Sequence, residues 1–417
     1  MSRRPPNIIK RLKWRLEWLS QVVAEFLVAR LPAVVAFRGG EILGGLLWHL
    51  MRQRRRIVHK NLRIVLAGEQ SSEEIDQLAR KSFIRSIANL VSAVHSAHLP
   101  MRVLESRVTV ENPELLEAAV REGQGCLLLP PHMGNWELLS RIKHHFPEGH
   151  PLGALYRPLN NPHLDARLTE KRRSEGTRMF SKRDSLLEIT RFLKDGGIIG
   201  VLADQRAGWQ GLHANFFGRL TRSSPLPHLL IRRCKIPAFA ISVRTVRPGH
   251  WALRYHPVDA PGDTQACMDA IERAMRESLV DVFWFQERWK CYISREQSLR
   301  EWLGAPEHRS ARSRHRVLIW LVGASDGWRL PDEWLHPDVD YEVVVQENQP
   351  PPNWPERITR VHQIAPGGGR AEIHKCLSDI DKADALPLDF VASTTADDAL
   401  RAACRREGVN FVSIQTP

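Results

Sequence analysis

The segment Cys126–Leu139, CLLLPPHMGNWELL, constrains the fold more than any other stretch of the chain. Its short apolar run is bounded by turn residues and reads as a buried strand rather than a helix. Pro130-Pro131 ends that strand, because proline has no N–H to give to a sheet ladder. His132 follows in the turn with Gly134, and Asn135 is a good helix N-cap ahead of Trp136-Glu137-Leu138-Leu139. Strand, turn and helix in that order build parallel α/β sheets. Such sheets gather their ligands at the carboxyl ends of their strands. The imidazole of His132 is therefore expected at one of those ends.

The rest of the chain agrees with this frame. Residues 8–100 read as mainly helical, with Ser71-Ser72-Glu73-Glu74 as a helix start. From about residue 108, short apolar runs alternate with helical stretches. The expected strands are Cys126–Pro130, Leu152–Tyr156, Ile198–Ala203, Ala238–Val243 and Trp251–His256. The expected helices are Pro113–Glu122, Trp136–His145, Pro162–Glu175 and Ser185–Lys194, and a helix-rich stretch covers Thr264–Val282. Residues 304–315 (GAPEHRSARSRH) read as a linker. Beyond it lies a small α/β domain over 316–417, with strands at Arg316–Val322, Tyr341–Gln346 and Phe411–Ile414. Its helices are expected at Ala371–Asp379 and Ala396–Glu407, while Pro350-Pro351-Pro352 and Gly367-Gly368-Gly369 read as turns. The fold class is α/β, with a helical amino-terminal region and a small carboxy-terminal α/β domain.

Charge is distributed unevenly. Residues 1–60 hold thirteen Lys/Arg against three Asp/Glu, whereas residues 311–417 hold twelve against sixteen. A basic amino end joined to apolar helices points to an anionic membrane surface rather than to nucleic acid. Within Ile8–Leu31, Leu12, Leu16, Leu19, Val23, Phe26 and Leu27 fall near helical spacing. Trp14 and Trp18 are interspersed with Lys10, Arg11, Lys13 and Arg15, a pattern that suits a helix lying in the interface. The best apolar stretch, Leu16–Met51, is broken by Glu25, Arg30, Pro32, Arg38 and Glu41, so no clear transmembrane helix is expected. No secretory signal is read at the amino end. The six cysteines show no metal-binding spacing and read as small buried residues in a reducing compartment. No metal or cofactor site is expected.

The chemistry centres on His132. Glu137 falls in the first helical turn, from which it could fold back onto the imidazole. A carboxylate that orients a histidine makes a competent general base. The spacing by itself carries no weight, since roughly two His-x4-acid matches arise by chance in such a composition. Two occur, His132/Glu137 and His374/Asp379, and the second lies inside a helical stretch with no strand before it. Taken alone, the residues leave His132 open to a catalytic or a structural reading.

Several ordered blocks extend the pattern. They are Arg54-Arg55-Arg56 with Asn61-Leu62, PPHMGNWE over 130–137, and YRPLNNP over 156–162. Arg173 with Gly176, Ala203-Asp204-Gln205, Phe216-Phe217-Gly218, and Trp284 with Arg288-Trp289-Lys290 follow. In this order they resemble the late lipid A acyltransferases, the lauroyl and myristoyl transferases of the lysophospholipid and glycerol-phosphate acyltransferase superfamily. The resemblance covers about residues 15–295. It implies a mostly parallel sheet flanked by helices, no cofactor, and an acyltransferase core over 101–303 behind a membrane-associating region at 1–100.

The resemblance also implies roles. His132 would be the base and Glu137 its partner. Arg157 would bind a phosphate or a developing negative charge, and Asp204 would anchor that arginine or shape the acceptor site. Asn160, Gln205, Arg173, Arg288 and Lys290 join the substrate-binding set. Asn135 and Gly134 are structural, the first as a helix cap, and Phe216-Phe217-Gly218 is read as core. The donor implied is a thioester on acyl carrier protein, an acidic partner suited to a basic surface. The acceptor is an anionic glycolipid such as a lipid A precursor, and the place of action is the cytoplasmic face of the inner membrane. Other readings are acyl-CoA-dependent transfer to a lysophospholipid, phosphatidylinositol mannoside or aminolipid, and a non-catalytic membrane scaffold. The partner of the carboxy-terminal domain is left unassigned.

Overall fold

The computed structural model describes residues 7–120, 123–173, 176–181, 184–208, 210–290, 293, 296–303, 314–322, 330, 334, 336, 338–347, 358–395 and 397–414. They form two compact units. The first comprises Met1–Arg52, Arg80–Gln205 and Ser224–Phe283, and the second Gln53–Ala79, Arg206–Ser223 and Trp284–Pro417.

The amino-terminal region is helical, as the sequence implies: α1 (Ile8–Val28), α2 (Ala33–Leu50), α3 (Arg52–Val65) and α4 (Ser72–Ser96). Asn7 caps α1 by accepting from the Lys10 backbone N–H. Ser71 and Glu74 form a reciprocal capping box at the start of α4. In the first unit, α2 lies close against α4 because its contact residues lack side chains. A Cβ on Gly40 would sit 2.7 Å from the Ala88 Cα, and one on Gly44 would sit 2.9 Å from the Ile84 Cα. One face of α1 is pinned by Glu25, which accepts from Arg167 Nη2 and Lys171 Nζ at 2.6 Å each. Burial would raise its carboxyl pKa, but these cations hold it at about 2. The other face of α1 leaves Leu12, Leu16, Leu19, Phe26 and Leu27 exposed, and α2 exposes Ile42, Leu46 and Leu50. Among the described residues no helix is long and apolar enough to cross a membrane.

The strands in chain order are β1 (Val108–Val110), β2 (Cys126–Leu129), β3 (Leu152–Tyr156), β4 (Arg178–Ser181), β5 (Ile198–Val201), β6 (Leu212–Phe216), β7 (Arg219–Ser223), β8 (Ala238–Arg247), β9 (His250–Pro257), β10 (His315–Trp320), β11 (Val339–Gln346), β12 (Ile358–Ile364), β13 (Phe390–Ser393) and β14 (Asn410–Ser413). The first unit is built on a seven-stranded sheet of order β1-β9-β8-β2-β5-β3-β4. Only the β8–β9 pair is antiparallel. Every residue of β2 is buried, as expected of a central strand covered on both faces. Leu128 pairs with Gly200, Gly200 with Ala154, and Ala154 with Met179, so one row crosses four strands on a single face.

One helical expectation is corrected and another is narrowed. Trp136–His145 is not one helix but two short 3-10 turns, Trp136–Ser140 and Lys143–His145. Asn135 does not cap them. Its Nδ2 donates to Ser96 Oγ at 2.9 Å, which turns the side chain away, and its Oδ1 accepts from none of the first backbone N–H groups of the turn. The helix-rich stretch over Thr264–Val282 holds one helix, Thr264–Arg276. The chain then turns so that Asp281 can accept from Asn89 Nδ2 and Ser278 Oγ.

The second unit contains the antiparallel β6–β7 hairpin and a five-stranded parallel sheet of order β12-β11-β10-β13-β14. The latter is a doubly wound arrangement. Alternate residues of β10 enter opposite cores, Val317 and Ile319 one, Leu318 and Trp320 the other. Buried charges run through the unit. Arg63 Nη1 meets Asp381 at 2.8 Å, Arg219 Nη2 meets Asp389 at 2.8 Å, and Arg316 pairs with Glu342. Lys60 Nζ donates to the Gly408 carbonyl at 2.9 Å. The proposed linker at 304–315 lies outside the described residues except for its last two positions, and the triple proline at 350–352 lies wholly outside them.

Candidate active site

The turn after β2 is held by its backbone. The His132 carbonyl accepts from the Phe283 N–H at 2.8 Å, and the Gly134 N–H donates to the Asp281 carbonyl at 2.8 Å. Met133 forms an isolated bridge with Val282. Gly134 sits at φ +55°, and a Cβ there would lie 2.0 Å from the Val243 carbonyl oxygen, so only glycine fits without a shift. The indole of Trp136 meets the imidazole edge-on, with centroids 5.1 Å apart. His132 is thus fixed from three sides before any polar partner acts on the ring.

That partner is Asp204. β5 lies beside β2, and Asp204 stands just past the end of β5, so adjacent parallel strands deliver the two side chains to one place. Asp204 Oδ1 lies 2.7 Å from His132 Nδ1, and its Oδ2 accepts the His132 backbone N–H at 3.0 Å. An ionised carboxylate can only accept, so a neutral ring paired with Asp204 carries its proton on Nδ1 and its lone pair on Nε2. The exposed Gln205 places its amide nitrogen 3.1 Å from that Nε2. Burial would lower the imidazole pKa, but the charge and hydrogen bond of Asp204, helped by Glu137, raise it above the ordinary histidine value; Arg172 opposes.

Glu137 does not fold back onto His132, which corrects the expected contact. Its two oxygens take a bidentate pair from Arg172, Nε at 2.9 Å and Nη2 at 2.6 Å. Arg172 Nη1 has no hydrogen-bond partner among the described residues. Asp204 does not anchor Arg157 either, since it is engaged with His132. Arg157 is exposed and unpaired among the described residues, and Arg173 is exposed as well.

His132, Glu137, Arg157 and Arg172, but not Arg173 or Asp204, line a cavity of about 690 Å³, within the range of small-molecule sites. His132, Glu137, Arg157, Asn160, Arg172 and Gln205 supply polar groups, and Leu128, Phe146, Leu152, Met179 and Ile198 are among the apolar ones. The first unit therefore gathers most of the sequence-predicted set in one place. Arg172 was missed, although its neighbour Arg173 was named.

Two expected ligand residues have other work in the second unit. Arg288 is 4 % exposed and donates to Thr221 Oγ1 at 2.7 Å and Ser223 Oγ at 2.8 Å, so its guanidinium is enclosed by the β7 strand and is unsuited to a lipid phosphate. Lys290 Nζ pairs with Glu287 at 3.0 Å. Asn61 joins α3 to the same block by donating to the carbonyls of Trp284 at 2.8 Å and Gln286 at 2.7 Å. Phe216 and Phe217 are buried, and Phe216 stacks on Trp289. His374, the second chance match, bonds Glu407 rather than Asp379.

Residues 8–291 match the bacterial lipid A biosynthesis acyltransferase family. The chain is also 27 % identical over 241 residues to the lipid A biosynthesis lauroyltransferase of Escherichia coli (strain K12), a span covering 58 % of this chain and 70 % of that protein. The chain belongs to the bacterial lipid A biosynthesis acyltransferase family and is an acyltransferase.

Proposed function

We propose that this protein transfers a fatty acyl chain from a thioester on acyl carrier protein to a hydroxyl of a lipid A precursor, with His132 as general base and Asp204 as its orienting carboxylate. The observation that carries this reading is the His132–Asp204 contact at the polar edge of the cavity. Nε2 faces an exposed amide that can move aside, and an acceptor hydroxyl would take the same place as a donor. As that oxygen attacks the thioester carbonyl, Nε2 takes its proton, and the imidazolium is stabilised by Asp204. The tetrahedral intermediate collapses to the ester, and the departing thiolate recovers the proton from His132. Its oxyanion requires a nearby positive group. Arg172, fixed by Glu137 and with no partner for Nη1 among the described residues, is suited to that task. Arg157 and Asn160 are suited to an acceptor phosphate.

The exposed apolar faces of α1 and α2, with Lys10, Arg11, Lys13 and Arg15 on α1, support attachment to an anionic membrane surface, where a lipid acceptor would reside. The test is a mass-spectrometric assay of purified protein with acyl carrier protein thioesters and a lipid A precursor. The expected result is an ester product that disappears in His132→Ala. A product that persists in that variant would overturn His132 as the base. A product formed only with lysophospholipid and acyl-CoA would replace both donor and acceptor.

A further inference from the structure

Two glycines interrupt the central strands of the first unit's sheet, and they differ in what surrounds them. Glycine within a strand is costly, and it marks either tight packing or the close approach of a ligand. Gly153 on β3 is of the first kind. A Cβ there would lie 2.9 Å from Phe180 and 3.1 Å from Phe192. Gly200 on β5 is of the second kind. A Cβ there would meet only the Gly153 carbonyl oxygen, at 3.9 Å, in otherwise open space. That open space is the cavity beside His132, which Gly200 lines.

The cavity follows the strands. Leu202 lines it near the carboxyl end of β5, where Asp204 and His132 stand, and Ile198 lines it at the amino end. Gly200 lies midway between them on the same face. Its row is Leu128, Gly200, Ala154 and Met179, in which the two central members are the smallest. From Leu202 to Ile198 the strand advances about 13 Å, the reach of roughly ten carbons of extended alkyl chain. A hydrocarbon lying along this floor must pass over Gly200 before it reaches Ile198, Leu152 and Phe146.

We infer that Gly200 sets the length of acyl chain this enzyme accepts, by leaving the middle of the acyl chamber open so that the chain tip reaches the wall formed by Ile198. This inference rests on the cavity being the acyl site in the proposed function. Methylene-scale misfits in an apolar pocket change discrimination by about 10- to 200-fold. Gly200→Val is therefore expected to shift the preferred chain shorter by about two to four carbons, with at least about 10-fold discrimination against the native length. Ile198→Ala is expected to shift it longer. Opposite shifts from two substitutions on one strand cannot arise from general loss of fold.

The experiment compares native protein, Gly200→Ala, Gly200→Val and Ile198→Ala, each shown to be folded by its melting transition. One arm measures binding of free decanoic to hexadecanoic acid by calorimetry. The other offers an equimolar mixture of the corresponding acyl carrier protein thioesters with a lipid A precursor and weighs the products. Shorter optima for the Gly200 variants and a longer one for Ile198→Ala in either arm support the inference. Unchanged optima in folded variants overturn it, as does a native protein that neither binds a fatty acid nor forms an ester. Graded binding that moves with residue 200 while no ester forms leaves the ruler standing and removes the proposed donor and acceptor.

Discussion

Replacing Asp204 with asparagine tests which carboxylate governs His132. The aspartate holds the residue twice, at Nδ1 and at the backbone N–H. Asparagine is nearly the same size but has one acceptor and one donor. If its oxygen keeps the backbone N–H, its amide faces Nδ1 and demands a lone pair there. The ring then carries its proton on Nε2 and cannot act as a base. If the amide is reversed, two donors face each other at the backbone. The loss combines a charge-assisted hydrogen bond of about 1.5–3 kcal/mol with the stabilisation of the imidazolium. The corresponding change in a serine protease triad is about 10⁴-fold, so kcat/KM is expected to fall by about 10³- to 10⁴-fold, or about 4–5.5 kcal/mol. Glu137→Gln, which disturbs Arg172 rather than the base, is expected to cost less. The pH profile adds a second readout. A base with a raised pKa loses activity on the acid side while pH is still above the ordinary imidazole value of about 6.5. Removing the Asp204 charge leaves burial in place, so the acid limb of Asp204→Asn moves to lower pH. The assay is the pH dependence of kcat/KM for native protein and both variants, with melting curves as the folding control. An Asp204→Asn variant within 10-fold of native, beside a Glu137→Gln variant that loses the larger factor, would refute the argument and restore Glu137 as the orienting group.

Other expectations follow from single contacts. Gly134→Ala forces a methyl to within 2.0 Å of the Val243 carbonyl at a positive φ, and it is expected to lower unfolding free energy by about 2–4 kcal/mol in denaturant titrations; a change under about 0.5 kcal/mol would show that the turn can shift. Glu25→Gln is expected to cost about 2–3 kcal/mol at neutral pH, because two cations lose their partner. Since the Glu25 pKa is depressed to about 2, this stabilisation is full above the unfolded carboxyl value and fades as pH falls through about 2. The gap between native and variant should therefore close in acid, and a gap independent of pH would count against the ion pairs. Leu16→Glu with Phe26→Glu removes two exposed apolar side chains from α1, and it is expected to weaken sedimentation with anionic vesicles by at least about 10-fold. Equal binding by the double variant would place membrane contact elsewhere.

Much of the fold could be read from local pattern. Leu152–Tyr156 was legible to the residue, since an apolar run between prolines has few alternatives. Strands β4, β12 and β13 were not, because their residues are short, mixed or adjacent to polar loops, and only their neighbours in the sheet make them strands. The site shows the same division. The place of His132 at the end of β2 was legible from strand, prolines and turn, and Asp204 was named from its block. Their pairing was not legible, because 72 positions separate them and only the adjacency of β2 and β5 joins them. The Glu137–Arg172 pair spans 35 positions and is equally invisible to spacing. Proximity in sequence favoured Glu137 over Asp204, and the topology of the sheet reversed that preference.

The buried charges of the second unit bear on how such a chain could have been assembled. Lys60, Arg63 and Arg219 belong to the stretch that matches the family, whereas Asp381, Asp389 and the Gly408 carbonyl lie beyond it. A buried cation that loses its partner costs about 3–5 kcal/mol. Cutting the chain after the matching region would strand Arg63 and Arg219, and deprive Lys60 of the carbonyls it donates to. The tail is therefore no detachable passenger. Its acidic and carbonyl groups complete the charge balance of Lys60, Arg63 and Arg219, which lie within the stretch that matches the family.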